Sequence, residues 1–326
     1  MGREGERAGP ESGDLTVRSP TNPLAGGTVR LRSGVFGLCI AALTACGPQA
    51  TRTAAPFTDA WGRPVATAPA ARRIVSLAPA TTELVFALGA GDRLVGRTTW
   101  CDWPAEARAV PDMGNGIGPN VEAIAATRPD LVLVYPSEGN RPAVAQLEQL
   151  GIRVAVVRQD AIADWRETAR AVARLLDRAA VAESLLVEFD RRLAAARAAP
   201  APDSPSVFIA VGSNPPFAIG AGSFVSELAG LAGARNAFAD LGGPSAVVSL
   251  EAVVARNPDL VLVLGPEEMA AEIARRPGWR AIPAVREGRV LAVDGGEFNR
   301  PSPRLPDAVR ALVARLTAHS AASPAR

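Results

Sequence analysis

Glu122-Ala-Ile-Ala-Ala-Thr-Arg-Pro-Asp-Leu-Val-Leu-Val134 returns later in the chain as Glu251-Ala-Val-Val-Ala-Arg-Asn-Pro-Asp-Leu-Val-Leu-Val263. In each copy a Glu opens a short run of helical periodicity, and a Pro-Asp pair stops it because the pyrrolidine ring cannot continue the turn. Four β-favouring residues follow. A Leu-Val-Leu-Val run without polar alternation suits a strand covered on both faces, as parallel strands are in α/β folds. The repeat therefore predicts two α/β lobes, each holding a helix, turn and buried strand in the same order, with a cleft between them.

A chain of 326 residues, 48% of them hydrophobic, is sufficient for two cores. The formal charge of +2 gives no electrostatic case for nucleic acid. Every basic residue is Arg, so a P-loop nucleotide hydrolase, which needs a Lys at the phosphates, is excluded. The glycine pairs Gly89-Ala-Gly91 and Gly220-Ala-Gly222 and the run Gly114 to Gly118 do not complete a dinucleotide fingerprint and read as turns.

Met1 to Thr28 is polar, Gly- and Pro-rich and aperiodic, and reads as disordered or untranslated, Val29 being a candidate start. Residues 29–45 then show the charged, apolar and small-residue regions of a secretory signal, with Arg30 and Arg32 before the apolar run from Val35 to Ala45. Leu43-Thr44-Ala45-Cys46 resembles a bacterial lipobox, which would make Cys46 the lipidated first residue of the mature chain. Residues 46–56 form a small, polar tether. Cys39 lies inside the signal and Cys101 stands alone in the mature chain, which leaves no internal disulfide and no Cys-based zinc site. The one His, His319, falls in the last turn or tail, where it cannot serve a nucleophile in the cleft.

Residues 57–162 are assigned to the first lobe. Arg73-Ile-Val-Ser-Leu-Ala-Pro79 is a buried strand running into a loop, and Thr81 or Thr82 is expected to cap the helix that ends at Gly89. Ile162, Trp165, Ala169, Val172, Leu176, Ala179, Leu186, Phe189 and Leu193 recur at steps of three, four or seven, and predict one long linking helix over 163–199. Pro200 to Pro205 ends it, and the second lobe occupies 206–319. Ligands bind α/β lobes beyond the carboxyl ends of strands. Trp100, Tyr135, Phe217 and Phe298 fall at such places.

Arg73-Ile-Val-Ser-Leu-Ala-Pro-Ala-Thr-Thr-Glu-Leu-Val-Phe-Ala-Leu-Gly89 resembles the opening of the periplasmic binding proteins that feed vitamin B12 and iron-chelate ABC importers. Trp100-Cys-Asp-Trp-Pro104, Asn120-Val-Glu122, Pro129-Asp-Leu-Val-Leu133, Gly212-Ser-Asn-Pro-Pro-Phe217 and Arg300-Pro-Ser-Pro-Arg304 are similar to blocks of the family's B12-binding members, in the same order. The resemblance covers Phe57 to Leu316. It implies a lipid-anchored monomer of the cell envelope that binds its ligand without transforming it and needs no cofactor of its own. It also implies a single rigid linking helix, ligand contacts from Trp100, Tyr135, Phe217 and Arg300, and docking on the paired transmembrane subunits of an ABC importer through Glu122 and Glu251. A corrin is a flat, largely apolar disc rimmed with carboxamides, which suits aromatic walls and an Arg. Gly116, Ser245 and Gly296 depart from the family pattern, standing where the B12-binding members carry two large aromatics and an Asp. Cobalamin is the first expectation, another corrinoid, haem or a ferric siderophore the alternative. A cofactor-dependent enzyme on the same scaffold is the competing class, and the shortage of acid and base candidates argues against it.

Overall fold

The computed structural model describes residues 56–199, 203–293 and 295–322. The expected signal at 29–45, Cys46, all of the tether but Pro56, and the leading 28 residues lie outside the described residues.

The chain opens with a short antiparallel pair, β1 (Phe57–Thr58) and β2 (Pro64–Val65). The first lobe then runs β3 (Ile74–Ser76), α1 (Pro79–Ala87), β4 (Leu94–Arg97), α2 (Val121–Ala126), β5 (Leu131–Val134), α3 (Arg141–Gln149) and β6 (Arg153–Val156). Its four strands are all parallel, in the order β4-β3-β5-β6. Two helices follow, α4 (Ile162–Leu176) and α5 (Ala179–Ala196). The second lobe runs β7 (Ser206–Ser213), β8 (Pro216–Ile219), α6 (Phe224–Leu231), β9 (Arg235–Asn236), β10 (Ser245–Val247), α7 (Leu250–Arg256), β11 (Leu260–Leu264), α8 (Glu267–Arg275), α9 (Pro283–Arg286), β12 (Val290–Val293) and α10 (Leu305–Ala322). Its sheet is mixed. β7, β11 and β12 are parallel, β8 and β10 run antiparallel beside β7, and β9 pairs with the start of β7.

The repeated stretch forms the expected structure twice, as α2 followed by β5 and as α7 followed by β11. Its Pro-Asp pair also fixes strand register. Asp130 accepts the backbone N–H of Arg72 and Arg73 at the entry to β3, while Asp259 accepts that of Ser206 at the start of β7. Each Asp precedes its strand by one residue, so the same carboxylate clips the neighbouring parallel strand in both lobes.

The single linking helix over 163–199 is corrected to two helices. Asp177, at the end of α4, adopts a left-handed conformation (φ 55°) that breaks the ladder, and the chain reverses. Arg166 pairs with Asp190 and Arg170 with Glu183, so α4 and α5 lie antiparallel. Trp165 meets Phe189 with ring centroids 4.4 Å apart. On its other side α5 reaches α10 through an ion pair between Arg192 and Asp307. The bridging part therefore belongs to α5, whose 18 residues extend about 27 Å. The apolar periodicity carried across the break because the stripes of α4 and α5 face each other, which leaves a continuous series of apolar positions in the sequence.

One buried cluster includes Ile74, Leu131 and Leu133 of the first sheet, Trp165 and Phe189 of the hairpin, Ile209 and Leu262 of the second sheet, and Leu312 of α10. Each sheet covers its opposite face with a separate cluster, around Val75 and Ile124 in the first lobe and around Phe208 and Trp279 in the second. The lobes thus share a continuous core, and separating them would expose it to water.

The first helix begins earlier than the sequence suggested. Pro79 occupies its first turn with Ala78 as N-cap, and Thr81 and Thr82 hydrogen-bond back to the Ala78 carbonyl. Glu83 is thereby placed on α1 one turn beyond Pro79.

Candidate functional site

The carboxyl end of β3 leads into Leu77, Ala78 and Pro79, and that of β5 into Tyr135. With Asn115, Gly116, Ile117, Gln159 and Asp160 these line one side of a cleft of about 350 Å³. The second lobe supplies Ser223, Phe224, Pro244, Asn299, Arg300 and Pro301. Larger hollows lie elsewhere: one of about 500 Å³ against α4 near β1 and β6, one of about 740 Å³ between α4, α5 and α6, and one of about 470 Å³ between α1, Trp103 and Arg304. The first two do not join the lobes at their strand ends, and the third joins them at the side of α1 away from the ends of β3 and β5, whereas a ligand site in such a fold sits at the strand-end loops.

At the base of the cleft the lobes touch through the start of α6. The Phe224 N–H donates to the Asp160 carbonyl at 2.6 Å, and Glu227 accepts from the backbone N–H of Ile162 at 3.1 Å. The Tyr135 hydroxyl donates to the Asp160 carboxylate, which Arg158 balances at 2.8 Å. Burial pushes the Tyr135 phenol well above its ordinary range, and the hydrogen bond and negative charge of Asp160 add to the shift. Behind Tyr135, buried Asn140 donates to its carbonyl and accepts the N–H of Gly118, bracing two cleft loops against each other.

A second junction closes one flank of the cleft. Glu83, only 2% exposed, accepts from Arg300 at 2.7 Å and from Arg304 at 2.8 and 3.0 Å. Arg300 also donates to Asp102 at 2.6 Å and to the Trp100 carbonyl at 3.2 Å. Arg304 reaches Glu297 at 3.1 Å and lays its guanidinium over the Trp103 ring. Burial alone would raise the Asp102 carboxyl, but the hydrogen bond and charge of Arg300 outweigh it and hold the group below its usual range. Desolvation would lower Arg304, yet Glu83 holds it above.

Gly116 explains one departure from the family pattern. Its φ is +87°, and a Cβ there would sit 2.5 Å from the Leu77 carbonyl, so no larger residue fits this cleft wall. Gly296 explains another, because a Cβ would lie 2.8 Å from an Arg300 nitrogen and 3.4 Å from one of Arg304. The small residue makes room for the paired guanidinium groups. Ser245 is half-buried in β10 opposite Ile219.

The expected ligand residues divide. Tyr135 and Arg300 line the cleft, and Trp100 stands beside it, 63% exposed, with its carbonyl on Arg300. Phe217 does not line the cleft. It sits in β8 opposite exposed Val247, on the face that two residues later buries Ile219 in the shared core. Phe298 is a correction: at 3% exposure it belongs to that core and has no surface to offer a ligand. Sequence reasoning missed Glu83, Asp102, Asp160 and Arg304, whose partners are distant in the chain or on the other lobe. Glu122 and Glu251 are exposed in the first turns of α2 and α7, capped by Asn120 and Ser249. Backbone hydrogen bonding, and then Ser249, hold the Glu251 carboxyl below its ordinary range.

Residues 74–295 match the family described as periplasmic binding protein. The chain belongs to that family. It is 32% identical over 245 residues to the vitamin B12-binding protein of Vibrio cholerae, a match spanning 73% of this chain and 87% of the relative. It is 32% identical over 252 residues to the uncharacterized ABC transporter substrate-binding lipoprotein YvrC of Bacillus subtilis, covering 74% of this chain and 78% of that one. The periplasmic heme-binding protein RhuT of Roseiflexus superposes with a TM-score of 0.69 at 27% identity, over 76% of this chain and 99% of RhuT. As a periplasmic binding protein the chain is a transport component with a two-lobed α/β fold, and no helix among its described residues is long and apolar enough to cross a membrane.

Proposed function

We propose that the protein captures cobalamin or a related corrinoid and delivers it to the transmembrane subunits of an ABC importer, binding it between the lobes without transforming it. The observation that carries this reading is the composition of the cleft: a flat apolar wall from Ala78 to Ala80 and Ile117, the Tyr135 ring, and the neutral amides of Asn115, Gln159 and Asn299. Cobalamin carries its own axial ligands and needs apolar faces and carboxamide partners. Haem iron seeks a protein ligand, and among the described residues the cleft lining holds no His, Cys or Met, while the Tyr135 hydroxyl is already committed to Asp160. A corrinoid exceeds a space of about 350 Å³, at the lower end of the usual ligand pocket range of about 300 to 1,000 Å³. The remainder would rest on the exposed Trp100 at the cleft edge.

The test is retention. The domain from Pro56 is mixed separately with cyanocobalamin, haemin and a ferric siderophore, desalted, and its absorbance read; cobalamin is expected to stay bound in a one-to-one ratio. Trp100→Ala and Tyr135→Ala should each weaken binding roughly thirtyfold, the effect of about 2 kcal/mol at a central contact. Retention of haemin and loss of cobalamin would replace the corrinoid by the haem reading.

Anchoring through a lipid on Cys46 is the companion proposal, supported by the lipobox-like Leu43 to Cys46 and by the resemblance to a lipoprotein. Cys46→Ser should leave an uncleaved precursor or release the protein from the membrane fraction; a processed, acylated variant would refute it.

A further inference from the structure

Among the described residues Arg300 is the one cation that lines the cleft, and each of its three nitrogens already has a partner. Its Nε goes to Glu83, one terminal nitrogen to the Trp100 carbonyl and the other to Asp102. Arg304 behind it is equally committed, with two nitrogens on Glu83 and the third on Glu297. Three carboxylates therefore surround two guanidinium groups, and the cluster carries one net negative charge. The other charged group of the lining, Asp160, is balanced by Arg158. Among the described residues a ligand entering this cleft meets no unpaired positive charge, while neutral amide side chains line the wall at Asn115, Gln159 and Asn299.

We infer that Glu83, with Asp102, sets ligand specificity by occupying Arg300 and Arg304, so that the cleft accepts a macrocycle rimmed with neutral carboxamides and rejects one rimmed with carboxylates. A carboxylate brought here would lose its water without gaining an ion pair, beside a cluster of net negative charge and the Asp160 carboxylate of the lining. A carboxamide exchanges donors and acceptors with the lining amides at no charge cost. Glu83 acts through Arg300 rather than by touching the ligand. This inference deepens the proposed function and rests on the cleft being a macrocycle site, but it does not depend on the macrocycle being a corrin.

The experiment separates rim charge from ring type by using two matched pairs. One is cyanocobalamin and its product with side-chain amides hydrolysed to carboxylates; the other is a metal-free porphyrin dicarboxylate and the same porphyrin as its diamide. Affinities are measured for the wild-type domain, Glu83→Gln and Asp102→Asn, at low and moderate salt. The wild type should prefer the amide of each bound pair by at least about tenfold, and the preference should shrink with salt. Both variants should reduce the preference to about threefold or less, chiefly by strengthening the carboxylate form. Asp102 is half-exposed at the rim, so Asp102→Asn carries the test if Glu83→Gln does not fold. Equal binding of amide and carboxylate by the wild type overturns the inference, as does a preference that neither variant alters. Binding of the porphyrin diamide alone, with the preference and its loss in the variants, leaves the inference standing and removes cobalamin as the ligand. Failure to bind any of the four removes both.

Discussion

Tyr135 is the only tyrosine in the chain, so its ionisation can be read directly. In the folded protein burial and the hydrogen bond to Asp160 raise the phenol above the value of about 10 expected of an unfolded chain. A raised folded value means that the stability attached to the protonated phenol is fully present below the unfolded value and is lost as pH rises towards the folded one. Tyrosinate absorbance should therefore be absent from the native protein at a pH where the denatured protein already shows it, and should appear together with loss of the native circular dichroism. Asp160→Asn should move the native titration down. A native phenol titrating near 10 would detach Tyr135 from Asp160. Tyr135 could be picked out from the sequence because a strand end carrying an aromatic is a local pattern. Phe298 shows the limit of that pattern: it follows a Gly-Gly turn after β12, looks equally loop-borne, and yet turns into the shared core. Glu83 was invisible for another reason, since its two partners lie 217 and 221 residues away on the other lobe.

At the scale of elements, the repeated stretch was readable because its stop signal and its strand are both written in residue types: Pro cannot continue a helix, and an unbroken β-branched and Leu run needs two covered faces. The α4–α5 junction was not. Neither Gly nor Pro marks Leu176-Asp177-Arg178, and the break rests on one Asp in a left-handed conformation, which any sequence reading assigns to helix by default. The two readings predict opposite signs for Asp177→Gly. In a continuous helix, glycine would cost up to about 1 kcal/mol. At φ 55° it should instead relieve strain and add a few tenths to about 1 kcal/mol, measured as a small rise in Tm or in the denaturation midpoint. A fall in Tm would restore the single helix. α5 packs on α4 through Trp165 and Phe189 and on α10 through Arg192 and Asp307, and so ties the hairpin to the last helix of the second lobe.

At the scale of the whole molecule, the repeat gives the two lobes equivalent surfaces as well as equivalent strands. Asp130 and Asp259 do the same structural work, so the conservation of register between the halves has a physical cause. Glu122 and Glu251 clip no neighbouring strand: both are exposed, neither forms an ion pair among the described residues, and Glu251 hydrogen-bonds at the start of its own helix, with Ser249. A carboxylate in the first turn of a helix is stabilised by the helix dipole, which is a sufficient reason for either one alone. Two at matching places also suit a partner that is itself paired, and we propose that each meets Arg residues on one of two equivalent membrane subunits. Bidentate Arg–carboxylate pairs are the geometrically specific kind, though solvent at the rim weakens them. The double variant Glu122→Ala, Glu251→Ala separates the two explanations. If the carboxylates serve only their helices, the variant loses a little stability and still supports uptake. If they dock, its Tm and ligand affinity stay near wild type while transporter binding and uptake fall sharply, and the wild-type complex weakens with added salt. Each single variant should show an intermediate loss, because one half of the contact survives. Normal uptake by the double variant would return both residues to a purely structural place.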